Sequence, residues 1–490
     1  MSNCGRSHFE RNKKHKSIFR GLLAVLVPVP KVEELTTVEL YSSYLGKVPI
    51  RGRLDGEDVC LDSIYQSIKN RNIYIKVLDL VENNLSENYI YSPQQLLHLN
   101  AVRINMKENL YNYVITLYCY LLINRLEFDT DNIEKYTNLI NEVITPELTE
   151  RVRKEHPELL DEQLRSPLSK VKKLLQQVTL YNSRVDILFT AVEYLEFLSY
   201  ISHGQVDTIN NQDILIFVSG APNLDNAYWN GQYMVFGNGD TMFYPLTSID
   251  VIGHELSHGL VQGICDLEYK GHSGALNEGY ADIFGTMLEF YIHDKYGGRI
   301  LGRSNWLIGE DLTMSGSCLR NMEDPHACQQ PKKMFDKFYI NPNSMVDYGG
   351  VHVNSGIPNY CFYITSQQLD KVETLRIFLD CLYKLYRRSD FYAFSSTLSQ
   401  TAFEKSGHDT VKIFNTSLNT VGLPPKSAQY SPSKSNSPRY GDSSHKHGDH
   451  FYSKHSFYGE DSPPRSPVES PRTYQYYRDR ERRFHNSMEQ

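Results

Sequence analysis

The chain has 490 residues, 40% of them apolar, and a formal net charge of −7. A chain of this size buries a large core and suggests two or three domains with extensions, while the acidic balance gives no reason to invoke nucleic acid for the folded part. Eight cysteines, Cys4, Cys60, Cys119, Cys265, Cys318, Cys328, Cys361 and Cys381, are scattered without a CxxC pair, which reads as reduced thiols rather than a disulfide framework. One exception is open: Cys318 and Cys328 lie close enough in sequence to bridge the segment between them.

In chain order, residues 1–33 read as a disordered leader. The basic stretch from Lys13 to Arg20 and the apolar run from Leu22 to Pro28 imitate a secretory signal, but no small-residue cleavage site follows. The run is also far short of the ~20 residues of a spanning helix, so no membrane span is expected. An intracellular or virion-associated location is favoured over secretion. Residues 34–205 carry Leu, Ile and Tyr at helical spacing, as in Asn109 to Tyr118 and Val171 to Val178, and predict a mostly helical accessory region. Residues 206–270 hold two strand-like runs, Asp213 to Val218 and Tyr233 to Phe236, leading to a helix that carries the most informative motif of the chain. Residues 271–423 read as a helical lobe. From Pro424 to the end the composition is Ser, Pro, Tyr, His and Arg with almost no aliphatic residues, which cannot bury enough surface to fold. This disordered tail has 11 Lys+Arg against 8 Asp+Glu, and Ser-Pro steps at Ser431, Ser437, Ser462, Ser466 and Ser470. An inert solubilising tail is the simplest reading; phosphorylation, or contact with an RNA or protein partner, is the other. His445, His447, His450 and His455 read as a solvated polar run.

The motif is His254-Glu255-Leu256-Ser257-His258. Two imidazoles four residues apart share one helical face and can reach one metal, with Glu255 on the turn between them placed to act on water. Twenty residues beyond His258 a second helix start, Ser273 to Asp282, brings another carboxylate. Catalytic zinc takes three protein ligands and keeps one position open. Glu278 is therefore the expected third ligand, and Asp282, one turn on, is placed to accept the free ring N–H of a liganding histidine.

With these residues the chain resembles the thermolysin-like zinc metallopeptidases of the gluzincin group. The resemblance covers roughly Asn226 to Gly422. Besides the two motifs above it rests on Asp347-Tyr348-Gly349-Gly350-Val351-His352-Val353-Asn354-Ser355-Gly356, on Asn226-Ala227-Tyr228-Trp229-Asn230-Gly231, and on Met234 to Asp240. It implies an α+β, two-lobed peptidase, with a strand-containing lobe and active-site helix followed by an all-helical lobe. It also implies zinc on His254, His258 and Glu278, steadied by Asp282 and Asn277, with Glu255 as general base. Tyr269 and His352 match the oxyanion donors, and Asp347 the carboxylate that orients His352. Arg320 matches an arginine that binds a substrate carbonyl, and Asn226 and Ala227 the groups that hold a peptide as an added strand. Phe243, Leu246, Val251, Leu312 and Leu319 match the walls of an apolar pocket on the leaving-amine side, so cleavage before bulky apolar residues is expected.

The resemblance further implies calcium, through Asp250, Glu289, Glu310 and Asp311. Two other family ligands fall on Asn305 and Leu307, and an insertion lies near Tyr296 to Arg303, so a single calcium is expected rather than a pair. The reading is a monomeric endopeptidase acting on proteins or peptides. Its rival is a retired peptidase fold that serves as an interaction or particle-associated protein through its tail. The helical accessory region and the missing long propeptide are departures from the family.

Overall fold

The computed structural model describes residues 29–425 apart from 84, 86–90, 128, 161–167, 207, 211, 219–223 and 298–303. The expected leader and tail fall almost wholly outside these residues, as does most of the insertion near Arg303.

Strands come first. β1 (Thr36–Ser42), β2 (Gly46–Asp55), β3 (Asp58–Cys60), β4 (Asp62–Gln66) and β5 (Asn72–Asp79) precede β6 (Arg103–Asn105). β1 and β2 make an antiparallel hairpin, Thr36 opposite Gly52 and Ser42 opposite Gly46, and β3 and β6 extend it to a four-stranded sheet. The expectation of a mostly helical 34–205 is therefore corrected for its first half. Asn72 to Asp79 is rich in β-branched and aromatic residues, and in a strand those side chains pack on both faces of a pleated surface. From Met106 the helical expectation matches the chain: α1 (Met106–Glu127), α2 (Thr130–Val143), α3 (Pro146–Glu155) and the long α4 (Leu168–Ile201).

After α4 come β7 (Ile214–Val218), β8 (Ala227–Trp229) and β9 (Met234–Phe236). They join β4 and β5 in a five-stranded sheet of order β4-β5-β7-β9-β8. β5 and β7 run parallel with Ile75 opposite Ile214, and both are covered on each face, which explains the unbroken apolar run Ile-Leu-Ile-Phe-Val in β7. A division at residue 205 thus cuts through one sheet. A single hydrophobic core also runs from Leu40 through α4 to Leu423.

The site is positioned by two helices, α5 (Ile249–Ile264) and α6 (Gly271–Tyr296). They cross where Gly253 meets Gly285. A Cβ on Gly253 would lie 2.9 Å from the Gly285 Cα, and one on Gly285 would lie 2.3 Å from the Asp250 carbonyl oxygen. α4 braces this pair from below, with the Tyr194 and Ser257 hydroxyls 2.7 Å apart and Phe197 edge-on to Phe284. Gly285→Ala is expected to cost about 1–3 kcal/mol by overpacking backbone against backbone, measured by urea unfolding, with weaker metal retention because the ligands on the two helices move apart.

Beyond α6 lie the short β10 (Leu307–Ile308) and β11 (Arg320–Asn321), which pair with each other. The helical lobe follows as α7 (Asp347–Asn354), α8 (Gly356–Ser366), α9 (Lys371–Leu382) and α10 (Phe391–Thr420). Phe362, Phe378, Phe394 and Phe414 form its aromatic centre, and the buried Tyr280 hydroxyl of α6 donates to the Phe378 carbonyl.

Candidate metal centre and active-site cleft

His254 and His258 project from one face of α5, their rings nearly perpendicular. Each has its Nδ1 engaged on the side away from the cleft. His254 Nδ1 lies 2.8 Å from Asp282 Oδ1, and His258 Nδ1 lies 2.8 Å from Asn277 Oδ1. The Asn277 amide is itself oriented, because its Nδ2 donates to the Leu267 carbonyl. With both Nδ1 atoms donating, both Nε2 atoms carry lone pairs, and they point at each other across 3.0 Å. Glu278 completes the group, its carboxylate oxygens 3.5 Å from each Nε2.

Two lone pairs facing each other beside a carboxylate repel unless a cation or a proton sits among them. The three ligand atoms lie within 4.8 Å of one another, and the buried Glu278 Oε2 accepts no hydrogen bond. Burial pushes the His258 imidazole down to about 4, so it is neutral and able to ligate at neutral pH. Burial also opposes the charged form of Glu278, but His352, His258, His254 and Arg320 outweigh it and hold that carboxyl below its ordinary range. For His254, burial acts downward and the Asp282 carboxylate lifts the ring above its usual value. Two nitrogens and one oxygen converging on one point at the cleft fit zinc.

Asp282 is the hub behind the centre. Besides His254 it takes a bidentate grip from Arg320, Nε to Oδ2 at 2.7 Å and Nη2 to Oδ1 at 2.6 Å, and a hydrogen bond from Asn359 Nδ2 at 2.8 Å. Burial alone would raise its pKa, but Arg320 and His254 depress it instead. Arg320, expected on a substrate carbonyl, thus spends its fork on Asp282 while still lining the cleft. Asn359 was not legible in the sequence, since nothing in its helical surroundings marks it.

Opposite the ligands stand Tyr269 and His352. The Tyr269 hydroxyl donates to Glu278 Oε1 and lies 2.9 Å from His352 Nε2. His352 Nδ1 is held by Asp347 Oδ1 at 2.6 Å, so Nε2 is the atom left to face the cleft. The other Asp347 oxygen accepts the backbone N–H groups of His352 and Val353. This clamp requires a tight turn: Asp347, Tyr348, Gly349 and Gly350 all have positive φ. A Cβ on Gly349 would lie 2.3 Å from the Pro342 carbonyl oxygen, which is why glycine stands there. A second support, also illegible beforehand, is Gln330, whose amide donates to the His352 carbonyl at 2.7 Å.

Between these walls lies a cleft with about 900 Å³ of empty space, part of it open to solvent. Glu255, buried at 6% exposure, lines it beside His254. β8 is the outer strand of its sheet, and Asn226 and Ala227 border the cleft from it. Asp225 adjoins them, its carboxylate accepting backbone N–H groups of Thr241 and Met242, a holding role the sequence did not suggest. Phe243, Leu246, Val251 and Leu319 form the apolar wall, joined by Met242. Leu312, expected in this wall, is fully buried and is not among the residues that line the cleft; its carbonyl accepts the Tyr244 N–H.

Beneath α5, the carboxylates of Asp250, Glu289, Glu310 and Asp311 gather. Burial, then the neighbouring carboxylates, raises Glu289 well above its ordinary range, Glu310 to about 8 and Asp311 to about 7. Asn305 Nδ2 donates to Glu310 at 2.6 Å and the Gly309 N–H to Asp250 at 2.6 Å, while Lys135 is the basic group felt by Asp311.

Two helices that present His254, His258, Glu255 and Glu278 to one cleft, with hydrogen-bond donors opposite, define a metallopeptidase centre. The thermolysin metallopeptidase catalytic-domain model matches residues 169–262 and the thermolysin metallopeptidase alpha-helical-domain model residues 265–423, together just over half of the chain. The chain belongs to the thermolysin family of metallopeptidases. The catalytic-domain match begins within α4, so that helix is part of the peptidase fold and not of an accessory region.

Similar proteins include a zinc metalloproteinase of Listeria monocytogenes, 34% identical over 50% of this chain and 46% of the relative. An extracellular metalloprotease of Pectobacterium carotovorum is 36% identical over 40% of this chain and 60% of the relative. The chain thus spans about half the length of the curated relatives it matches. A solved structure, the precursor of protealysin from Serratia proteamaculans, is 30% identical over 49% of this chain and 78% of that one, with a TM-score of 0.44. These names correct one expectation. The expectation of an intracellular or virion-associated location is overturned, since relatives are named extracellular metalloprotease and, in Staphylococcus epidermidis, extracellular elastase. Scattered cysteines and an unclear leader are weak guides to compartment. No helix among the described residues is long and apolar enough to cross a membrane.

Proposed function

We propose that the protein is a zinc-dependent endopeptidase that cleaves internal peptide bonds of protein substrates before bulky apolar residues. The observation that carries this reading is the convergence of both histidine lone pairs and the Glu278 carboxylate on one point beside Glu255. When bound, zinc supplies Lewis acidity that polarises the scissile carbonyl and lowers the pKa of water. Glu255 removes a proton from the attacking water and returns it to the leaving nitrogen. Tyr269 Oη and, with the ring as imidazolium, His352 Nε2 donate to the oxygen that gains charge, and Asp347 accepts from Nδ1 and keeps the ring aimed. The peptide lies along β8, held through Asn226 and Ala227, and the residue after the scissile bond sits against Phe243, Leu246, Val251 and Leu319.

Casein digestion by the purified chain is expected to stop with a zinc chelator and return on adding zinc. Sequencing the products is expected to place Leu, Ile, Val or Phe just after the cuts, worth about 1.5–3 kcal/mol per buried side chain. Digestion that survives complete removal of metal overturns the proposal.

The acidic cluster supports a single structural calcium. Raised carboxyl pKa values mean that, without a cation, the folded state keeps protons that the unfolded state has released. Stability then falls as pH rises from about 4 toward 8. Added calcium is expected to raise the unfolding midpoint strongly at pH 8 and little at pH 5, where protons already occupy the cluster. An equal shift at both pH values sinks this assignment.

A further inference from the structure

Cys318 and Cys328 take no part in the cleft chemistry, yet the fold brings their sulfurs to 3.2 Å. Cys318 is half-buried and Cys328 buried. The nine residues they bracket contain Arg320, anchored to Asp282 behind the first zinc histidine. Two residues past Cys328 stands Gln330, anchored to the His352 carbonyl and to Ser355 Oγ. One segment therefore ties the metal-ligand wall to the oxyanion wall, and the two sulfurs sit where a covalent bond would close it.

We propose that Cys318 and Cys328 form a disulfide that staples these two walls, making the firmness of the cleft depend on thiol oxidation. The consequence for the cleft rests on the peptidase reading; the bond itself does not. With a glutathione-type disulfide as oxidant, the more accessible Cys318 thiolate attacks one of its sulfurs and releases one glutathione thiol. The Cys328 thiolate then attacks the Cys318 sulfur and releases the second. Two protein thiols are oxidised, one small disulfide is reduced to two thiols, and the two protons pass to the released glutathiones. Closing a short ring removes freedom from the unfolded chain.

The experiment incubates the full chain with oxidised glutathione or with dithiothreitol and compares it with the double variant Cys318→Ser/Cys328→Ser. Oxidised wild type is expected to yield, on digestion without reductant, one cross-linked peptide pair joining 318 and 328. Its unfolding midpoint is expected to rise by about 5 °C over the reduced form. Reduction is expected to raise KM for a peptide more than it lowers kcat. The double variant is expected to match reduced wild type under both conditions. Absence of the 318–328 cross-link, or a cross-link that leaves both midpoint and KM unchanged, overturns the proposal. If the chain hydrolyses no peptide, the cross-link and the midpoint still decide on the staple, so failure of the peptidase reading is told apart from failure of this one.

Discussion

Glu255→Gln is expected to lower peptide hydrolysis by about 10²–10⁴-fold, the range that a positioned acid–base group contributes, while zinc content and unfolding midpoint stay near those of the wild type. The substitution keeps the shape of a side chain that is only 6% exposed and removes its ability to take a proton. Zinc content should persist because the ligand atoms belong to His254, His258 and Glu278, not to Glu255. Steady-state kinetics, with metal measured on the same sample, checks both halves. Loss of metal together with activity would mean that Glu255 holds the centre together and is not its base.

Asp282→Asn should have the largest effect on stability, about 3–5 kcal/mol, because it removes one partner of a buried ion pair and leaves the Arg320 charge in place. Arg320 is 6% exposed and Asp282 1%, so solvent has little room to compensate. Zinc affinity is expected to fall by about 10–100-fold, the usual cost of removing a carboxylate behind a liganding histidine. The two effects separate in the double variant Asp282→Asn/Arg320→Met. It should regain much of the lost stability, since no unpaired charge remains, but none of the lost zinc affinity. Urea unfolding and competition with a zinc-binding dye supply the readouts, and additivity of the two substitutions in stability would contradict the coupling.

The sequence was most legible where chemistry imposes spacing. His254, Glu255, His258 and Glu278 are a geometric requirement of one metal on two helices, so their positions announce themselves. Tyr269, His352 and Asp347 became readable only through resemblance, because a tyrosine and a histidine 83 residues apart carry no local pattern. Asn359, Gln330 and Asp225 were not readable at all: each acts only through hydrogen bonds to residues distant in sequence, and a polar residue so placed looks like any other. The strands β1 to β5 were missed for a different reason. Leu, Ile and Tyr fill buried strands and buried helices alike, so residue type without a clear period does not separate the two. The pocket residue Leu312 matched by position yet is fully buried, and an apolar residue type alone does not separate a pocket wall from the core around it.

The contact between Gly253 and Gly285 has a consequence for how this centre tolerates change. The bite of the ion is gauged by main chain resting on main chain, a stop that no side chain can loosen or tighten. Variation among the surrounding aliphatic and aromatic residues, Phe284 and Leu288 among them, can therefore alter the melting of the molecule while the spacing between His254 and Glu278 stays put. The spacing of the ligands is insulated from drift in the interior that supports it, and it is exposed at Gly253 and Gly285, where the smallest possible residue is the one that fits.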